Sequence, residues 1–336
     1  MTLLANAPVP IIFRVLVSAS LVLTGSAVSV TASAQTAPYP SKPIRVILNA
    51  SPGGGTDIMG RIIAKKISEN VGQQVIIENK AGGNGFIGTV QAARMPPDGY
   101  TLLVGTIASF GLAPSLYKTL PYDPVRDFEP IINGVVVTNV LVVHPSLPAK
   151  TAKEFLALAK AKPRALNYSS SAYGSAAHLA SELFALKGGV EFVHIPYKGG
   201  GPAVADLVAG HVQFSFATAP SALGFVKSGK LRALGVTTPT RFSGLPDVPT
   251  ISEAVFPGFE ASNWYCFVAP AHTPKDIIAK LNQEFRRAMA SPDVAQALHT
   301  QGMEPVPSTP QELHAYIKSE IAKWAEVAKA RDLKAE

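Results

Sequence analysis

From Ile44 onward the chain alternates short apolar runs with longer segments whose apolar positions recur every three or four residues. The first kind suits strands and the second suits helices with one buried stripe. Ile44–Asn49, Gln74–Glu78 and Thr101–Gly105 read as strands. Helices fill the gaps, over Asp57–Glu69 and from the loop after Ala81 to Met95. After a long apolar stretch, Ile131 to Val143, the same rhythm restarts. Thr151 and Glu154 form a capping box that opens a helix to Ala161, each satisfying a backbone N–H of the first turn. Then come strand Asn167–Ser171, helix Ser175–Lys187, strand Phe192–Pro196, helix Gly201–Ala209, strand Phe214–Ala217, a helix near Pro220–Ser228 and strand Ala233–Thr237. Such alternation predicts an α/β protein with parallel sheets covered on both faces.

The last third differs. Trp264–Ala269 reads as a strand, and three helices follow it with no strand between them. Thr273-Pro274 and Thr309-Pro310 place Pro at the first helical position, and Glu312 completes a capping box. These helices need an existing sheet on which to bury their apolar stripes. The economical arrangement returns them to the first α/β unit. That makes residues 38–140 and 262–336 one discontinuous lobe and 141–261 the second, with Val140–His144 and Trp264–Ala269 crossing between them.

Composition supports a folded, exported chain. Of 336 residues 47% are apolar and 16% charged, enough for two domains with a sizeable core. The net charge of +7 is scattered, with only Lys65-Lys66 and Arg286-Arg287 as clusters, so no nucleic-acid face is predicted. Arg14, the apolar Val15–Val30 stretch and Ala32-Ser33-Ala34 match a secretory signal, residues 1–34, cleaved before Gln35. The polar, Pro-rich Thr36–Pro43 that follows does not suit a membrane anchor. The expected location is therefore the periplasm. Cys266 is the single cysteine and excludes an internal disulfide.

Four loops between strand and helix are rich in Gly, Ser or Thr: Ser51–Asp57, Ala81–Gly85, Ser169–Ser175 and Tyr197–Gly201. In open α/β sheets ligands bind beyond the carboxyl ends of strands, and helix N-termini offer unpaired N–H groups to an anion. Four such loops could hold a carboxylate without Arg. Enzyme and cofactor signatures are weak. Gly83-x-Gly85-x-x-Gly88 fits a dinucleotide fingerprint, but Asp98 sits in a turn before the next strand instead of at a strand end. Ser115-Leu-Tyr-Lys118 lacks its partner motifs, and the seven His show no metal spacing. No catalytic residue, metal or cofactor is predicted. Trp264 and Tyr265 could line the cleft or pack the crossing strand, and packing is the favoured reading.

The order of several short motifs resembles the substrate-binding proteins of tripartite tricarboxylate transporters, the Bug family. These are Tyr39-Pro40-x-Lys42-Pro43-Ile44, Pro52-Gly-Gly-Gly-Thr-Asp57, Glu78-Asn79-Lys80-Ala81-Gly82-Gly83, Pro97-Asp98-Gly99-Tyr100, Leu120-Pro121-Tyr122-Asp123-Pro124, Tyr197-Lys198-Gly199-Gly200-Gly201-Pro202 and Leu245-Pro246-Asp247-Val248-Pro249. The resemblance implies a type 2 periplasmic-binding-protein fold: two α/β lobes joined by two crossing strands, closing over a small carboxylate (a di- or tricarboxylate or an aromatic acid). It also implies a non-enzymatic monomer that serves integral membrane transporter subunits. Carried onto this chain, the ligand residues are Gly53, Gly54, Thr56, Asp57, Gly82, Gly83, Asn84, Thr106 and Ser109 in one lobe. The other lobe supplies Ser170, Ser171, Gly174, Ser175, His178, Tyr197, Lys198 and Gly199. Ala217-Thr218-Ala219 stands where the family often carries an acid, which argues against an amine-bearing ligand. Phe86, Phe110, Tyr173 and Phe216 could make the pocket suit an aromatic acid, with core packing the default for each. Two alternatives are a ligand sensor for a membrane signalling system and a secreted hydrolase using Ser170 or Ser175 with His178.

Overall fold

Eleven strands among the described residues divide between two sheets, each with helices packed on it. The computed structural model describes residues 39–50, 52–53, 55–82, 85–197 and 199–334, all in one compact unit. The signal segment, with Gly54, Gly83, Asn84 and Lys198, lies outside the described residues.

The first sheet has six strands: β1 (Ile44–Leu48), β2 (Val75–Asn79), β3 (Thr101–Thr106), β4 (Phe128–Val137), β10 (Asn263–Pro270) and β11 (Met303–Pro305). Their order is β11-β4-β10-β3-β1-β2. The second sheet has β5 (Asn139–Val143), β6 (Asn167–Ser170), β7 (Val193–Pro196), β8 (Phe214–Thr218) and β9 (Arg232–Val236), in the order β7-β6-β8-β5-β9. The two-lobe α/β expectation holds.

The expectation of purely parallel sheets does not. β1 pairs parallel with β2 and β3, and β6 with β7 and β8. β10 runs antiparallel to β3 and β4, and β5 antiparallel to β8 and β9. The reason is connectivity. A strand that arrives from the other lobe need not follow a βαβ crossover, so the handedness rule for parallel neighbours does not bind it.

The C-terminal helices also enclose a strand, contrary to the sequence reading. β11 sits between α10 (Pro292–Thr300) and α11 (Pro310–Ala330) and pairs antiparallel with the end of β4. Three residues are too few for a periodicity to show.

The crossings lie earlier than the sequence suggested. β4 ends at Val137 and β5 begins at Asn139, so the first passage turns on Thr138. The return passage is residues 237–262, before β10, which lies wholly in the first sheet. Asn139 stitches the two passages together. Its Nδ2 donates to the Ala261 carbonyl at 3.0 Å, and its own carbonyl accepts from the Thr237 N–H. One buried apolar cluster runs through both lobes, from Leu103 and Phe110 to Phe214 and Phe216, with Trp264 and Trp324 fully buried within it.

The other helices are α1 (Gly55–Val71), α2 (Phe86–Ala93), α3 (Ala113–Leu116), α4 (Ala152–Ala161), α5 (Ala176–Gly188), α6 (Gly200–Val208), α7 (Ala219–Lys227), α8 (Ile251–Ala254) and α9 (Lys275–Met289). A π-helical turn, Ile107–Leu112, leads from β3 into α3. No helix among the described residues is long and apolar enough to cross a membrane.

Candidate functional site

A cavity of about 560 Å³ lies between the two sheets, at the ends of strands from both lobes. Its wall is made largely of helix beginnings. Gly55 and Thr56 open α1, Gly85 caps α2, and Thr106 to Ala108 open the π-helical turn. From the second lobe, Ser175 to Ala177 open α5, Gly200 and Gly201 open α6, and Thr218, Pro220 and Ser221 open α7. Six helix N-termini therefore face one space, each carrying partial positive charge and unpaired N–H groups. No charged side chain lines the cavity among the described residues.

Of the residues the sequence pointed to, Gly53, Thr56, Thr106, Ser171 and Ser175 line this space. Others sit behind the wall. Asp57 is buried and accepts from the Gly53 N–H at 2.9 Å, from Asn79 Nδ2 at 3.0 Å and from the Arg61 guanidinium. Burial works to raise its pKa, but these bonds, Arg61 first, outweigh it and hold the carboxyl below the usual range. Asp57 is a brace for the β1–α1 loop, already fully used by this lobe's own groups. Ser109 is fully buried and completes a capping box with Thr106. Gly82 takes a left-handed turn at φ 118° and accepts from the Gly85 N–H, away from the lining.

The second lobe repeats this division. Ser170 is fully buried, and its hydroxyl meets His194 Nε2 at 2.7 Å. His178 is 1% exposed, with Nδ1 accepting from the Gly174 N–H at 3.2 Å. Burial, then Arg331, lowers the His178 pKa to about 4. It is a neutral ring inside the lobe, and it is not among the residues that line the cavity. Tyr197 turns its hydroxyl to Asp206 at 2.6 Å, and Gly199 caps α6 while its N–H donates to the Ser171 carbonyl. The four aromatic candidates do not line the space either. Phe110 and Phe216 are core, Phe86 packs on Tyr117 and Tyr122, and Tyr173 stacks on His178.

Beyond the predicted site residues, the lining gains a polar group from single side chains: Asn49, Ser215, Thr218, Ser221, Asn263, Tyr265 and Gln301. Asn49 stands just past β1, and its Nδ2 donates to Thr89 Oγ1 at 3.2 Å and Ser109 Oγ at 3.1 Å. It thereby ties β1 to α2 and the π-helical turn. Tyr265 reaches the cavity from β10, accepts from Asn263 Nδ2 at 3.1 Å, and lies against the start of α1. The packing role assigned to it was too narrow. Trp264 does pack, its Nε1 donating to Glu320 at 2.8 Å. A signal was present for Thr218, in the Ala217-Thr218-Ala219 departure, and for Asn49 as the polar end of β1. None was present for Gln301, which arrives from the last third of the chain.

The dinucleotide motif is accounted for by packing. A Cβ on Gly88 would stand 3.0 Å from the Lys80 carbonyl and 3.1 Å from Asn49 Cα. Gly88 is there so that α2 can press on the end of β1.

Comparison with known proteins agrees with this architecture. The family model described as "Tripartite tricarboxylate transporter family receptor" matches residues 59–333. Protein BugT of Bordetella pertussis is 37% identical over 94% of this chain and 97% of its own length. A solved structure described as a periplasmic transporter is 41% identical, covering 88% of this chain and 99% of that one, with a TM-score of 0.80. An R. palustris protein solved with adipate is 36% identical at the same coverage and TM-score. On these matches, over nearly the whole described length, the chain belongs to the tripartite tricarboxylate transporter receptor family, to which Bug proteins are its relatives.

Proposed function

We propose that this chain is an exported receptor that captures a small, amine-free carboxylate between its two lobes and delivers it to the membrane subunits of a tripartite tricarboxylate-type transporter. The observation that carries the reading is the convergence of six helix N-termini on a cavity whose described lining has no charged side chain. Such a wall favours an anion and offers an ammonium group no carboxylate partner. Asp57, at the start of α1 beside the wall, is saturated by Arg61, Asn79 and Gly53. A relative of the same fold was solved with adipate, a carboxylate of this kind.

In this reading 38–140 with 262–336 and 141–261 act as lobes that rock about Thr138 and the return passage. The ligand touches both lobes and so favours the closed form. The closed pair of lobes is the surface the transporter reads, and the receptor works as a monomer in the periplasm after removal of residues 1–34. Direct ligand contacts are assigned to Gly53, Thr56, Thr106, Ser171 and Ser175, with Asn49, Asn263 and Tyr265 added. Gly54, Gly83, Asn84 and Lys198 keep the role implied by their place in the loops.

A hydrolase reading finds less support. Ser175 meets only the backbone N–H of His178, and Ser170, which does touch an imidazole, is sealed from the cavity. The test is thermal unfolding with dicarboxylates and with amino acids of matching length. A ligand at about a hundred times its Kd should stabilise the fold by about 2.7 kcal/mol. Dicarboxylates are expected to raise Tm and the amino acids to leave it unchanged. A larger shift with the amino acids would overturn the amine-free assignment.

A further inference from the structure

Behind the second-lobe wall stands a stack of four rings: Tyr173, His178, His194 and Tyr168. The His178 and His194 centroids are 4.4 Å apart at 26°, with Tyr173 4.5 Å from His178 and Tyr168 4.7 Å from His194. Neither imidazole reaches the cavity, yet both grip the loop that does. We infer that His178 and His194 are positioning residues that fix the β6–α5 loop, residues 171–175, in the shape that presents Ser171, Ser175 and the first N–H groups of α5 to the ligand. This rests on the carboxylate-capture reading for its purpose, though not for its geometry.

The Ser170 hydroxyl donates to the Ala172 carbonyl at 2.8 Å, so its oxygen takes the proton of His194 Nε2 at 2.7 Å. That sets His194 as the Nε2–H tautomer and runs a chain from imidazole through hydroxyl to the loop carbonyl. His178 has the opposite polarity at its working nitrogen. Its Nδ1 accepts from the Gly174 N–H, which only an imidazole without a proton there can do.

Gly174 has φ 75°, a left-handed conformation that places this N–H inward. The next residue, Ser175, caps α5 by accepting from the His178 N–H. His178 therefore occupies the Gly174 N–H directly, and His194 acts on the Ala172 carbonyl through the Ser170 hydroxyl. Ser171 and Ser175 are left for the cavity.

Burial keeps both rings neutral, His178 to about pH 4 and His194, with its neighbour's help, to about 3. The geometry is thus present throughout the ordinary pH range. A merely structural ring stack would need the planes and not the nitrogens.

Paired variants separate those roles. His178→Asn keeps an acceptor where Nδ1 stands and discards the ring. His178→Phe keeps the ring and discards the acceptor. Likewise His194→Gln keeps the Nε2 donor and His194→Phe removes it. Adipate affinity by calorimetry and amide exchange at Gly174 are the readouts.

We expect His178→Phe to weaken adipate about tenfold or more, the cost of one unpaired buried group. It should also release the Gly174 amide to exchange, whereas His178→Asn should stay within a few-fold on both. The His194 pair should show the same split in affinity. Phe variants that match the wild type, or Asn and Gln variants as damaged as the Phe ones, would overturn the inference. If the wild type binds no adipate, the capture reading loses that ligand, and exchange at Gly174 alone still decides whether His178 holds the loop.

Discussion

Tyr265 shows how a single side chain can be both core and site. It is 7% exposed, and burial raises its pKa, so it works as a neutral phenol. Because Asn263 donates to its oxygen, the phenolic proton is free to point at Thr56 or a ligand. Tyr265→Phe removes that donor with little change in shape. It should weaken carboxylate binding by about 1–2 kcal/mol with stability nearly unchanged, measured by calorimetry beside urea unfolding.

Gly105 makes the opposite case, a residue whose value is its absence of side chain. A Cβ there would lie 2.8 Å from both Cys266 Sγ and the Phe110 ring. Gly105→Ala is expected to cost about 1–3 kcal/mol, read from the urea midpoint.

The buried histidines give the fold a pH dependence at the same scale. Their folded pKa values, about 4 and about 3, lie below the ordinary value of 6.5. The unfolded chain therefore binds protons that the folded chain refuses. Their contribution is fully present above about pH 6.5 and is lost as the pH falls toward 4. The titratable and charged groups around the pair are Tyr168, Tyr173, Glu182 and Arg331, with Asp332 and Lys334 beyond Tyr173. Urea unfolding between about pH 7 and pH 4.5 should show this fall, and His178→Asn should flatten it.

At the scale of elements, what matters is where helices begin. α1, α2, α5, α6 and α7 and the π-helical turn all start at the cavity, so their N–H groups serve as the site. This part was legible in the sequence, because a Gly- or Ser-rich loop after a β-rich run marks a helix start at a strand end. The side-chain part of the site was not. Asn263, Tyr265 and Gln301 reach it from a strand and a helix end far along the chain, and no local pattern records such a meeting.

Strand direction was hidden for a similar reason. β4, β5 and β10 read as apolar runs whichever way they point, and only the passages at Thr138 and residues 237–262 decide it. Asp57, His178 and Ser170 belong to these loops but stand behind the described lining of the cavity. A polar residue beside a Gly-rich loop can face the ligand or brace the loop from behind, and burial makes that choice.

For the whole molecule, the long α11 closes the structure. It packs on β4 and the π-helical turn of the first lobe, and just past its end Arg331 Nε meets Glu182 of α5 at 2.7 Å. Glu182 also accepts from the Tyr168 hydroxyl at 2.8 Å, and the Lys334 N–H donates to the Tyr173 hydroxyl. With a core cluster shared by both lobes, the molecule is expected to unfold in one transition. Arg331→Met leaves Glu182 short of a partner in a nearly buried place and should cost about 1–3 kcal/mol. Calorimetry that resolves two separate transitions in the wild type would show that the shared cluster does not couple the lobes.

Anion selection is assigned mainly to backbone amides of both lobes, in a wall whose described lining has no charged side chain. It is tested most directly by titrating the purified protein calorimetrically with aliphatic dicarboxylates of graded length, adipate among them, and with the matching diamines. One saturable site is expected for at least one dicarboxylate, lost when Thr106 and Ser175 are both replaced by bulky residues, with no heat from the diamines. Binding of a diamine at that site, or dicarboxylate binding that survives the double replacement unchanged, would contradict it.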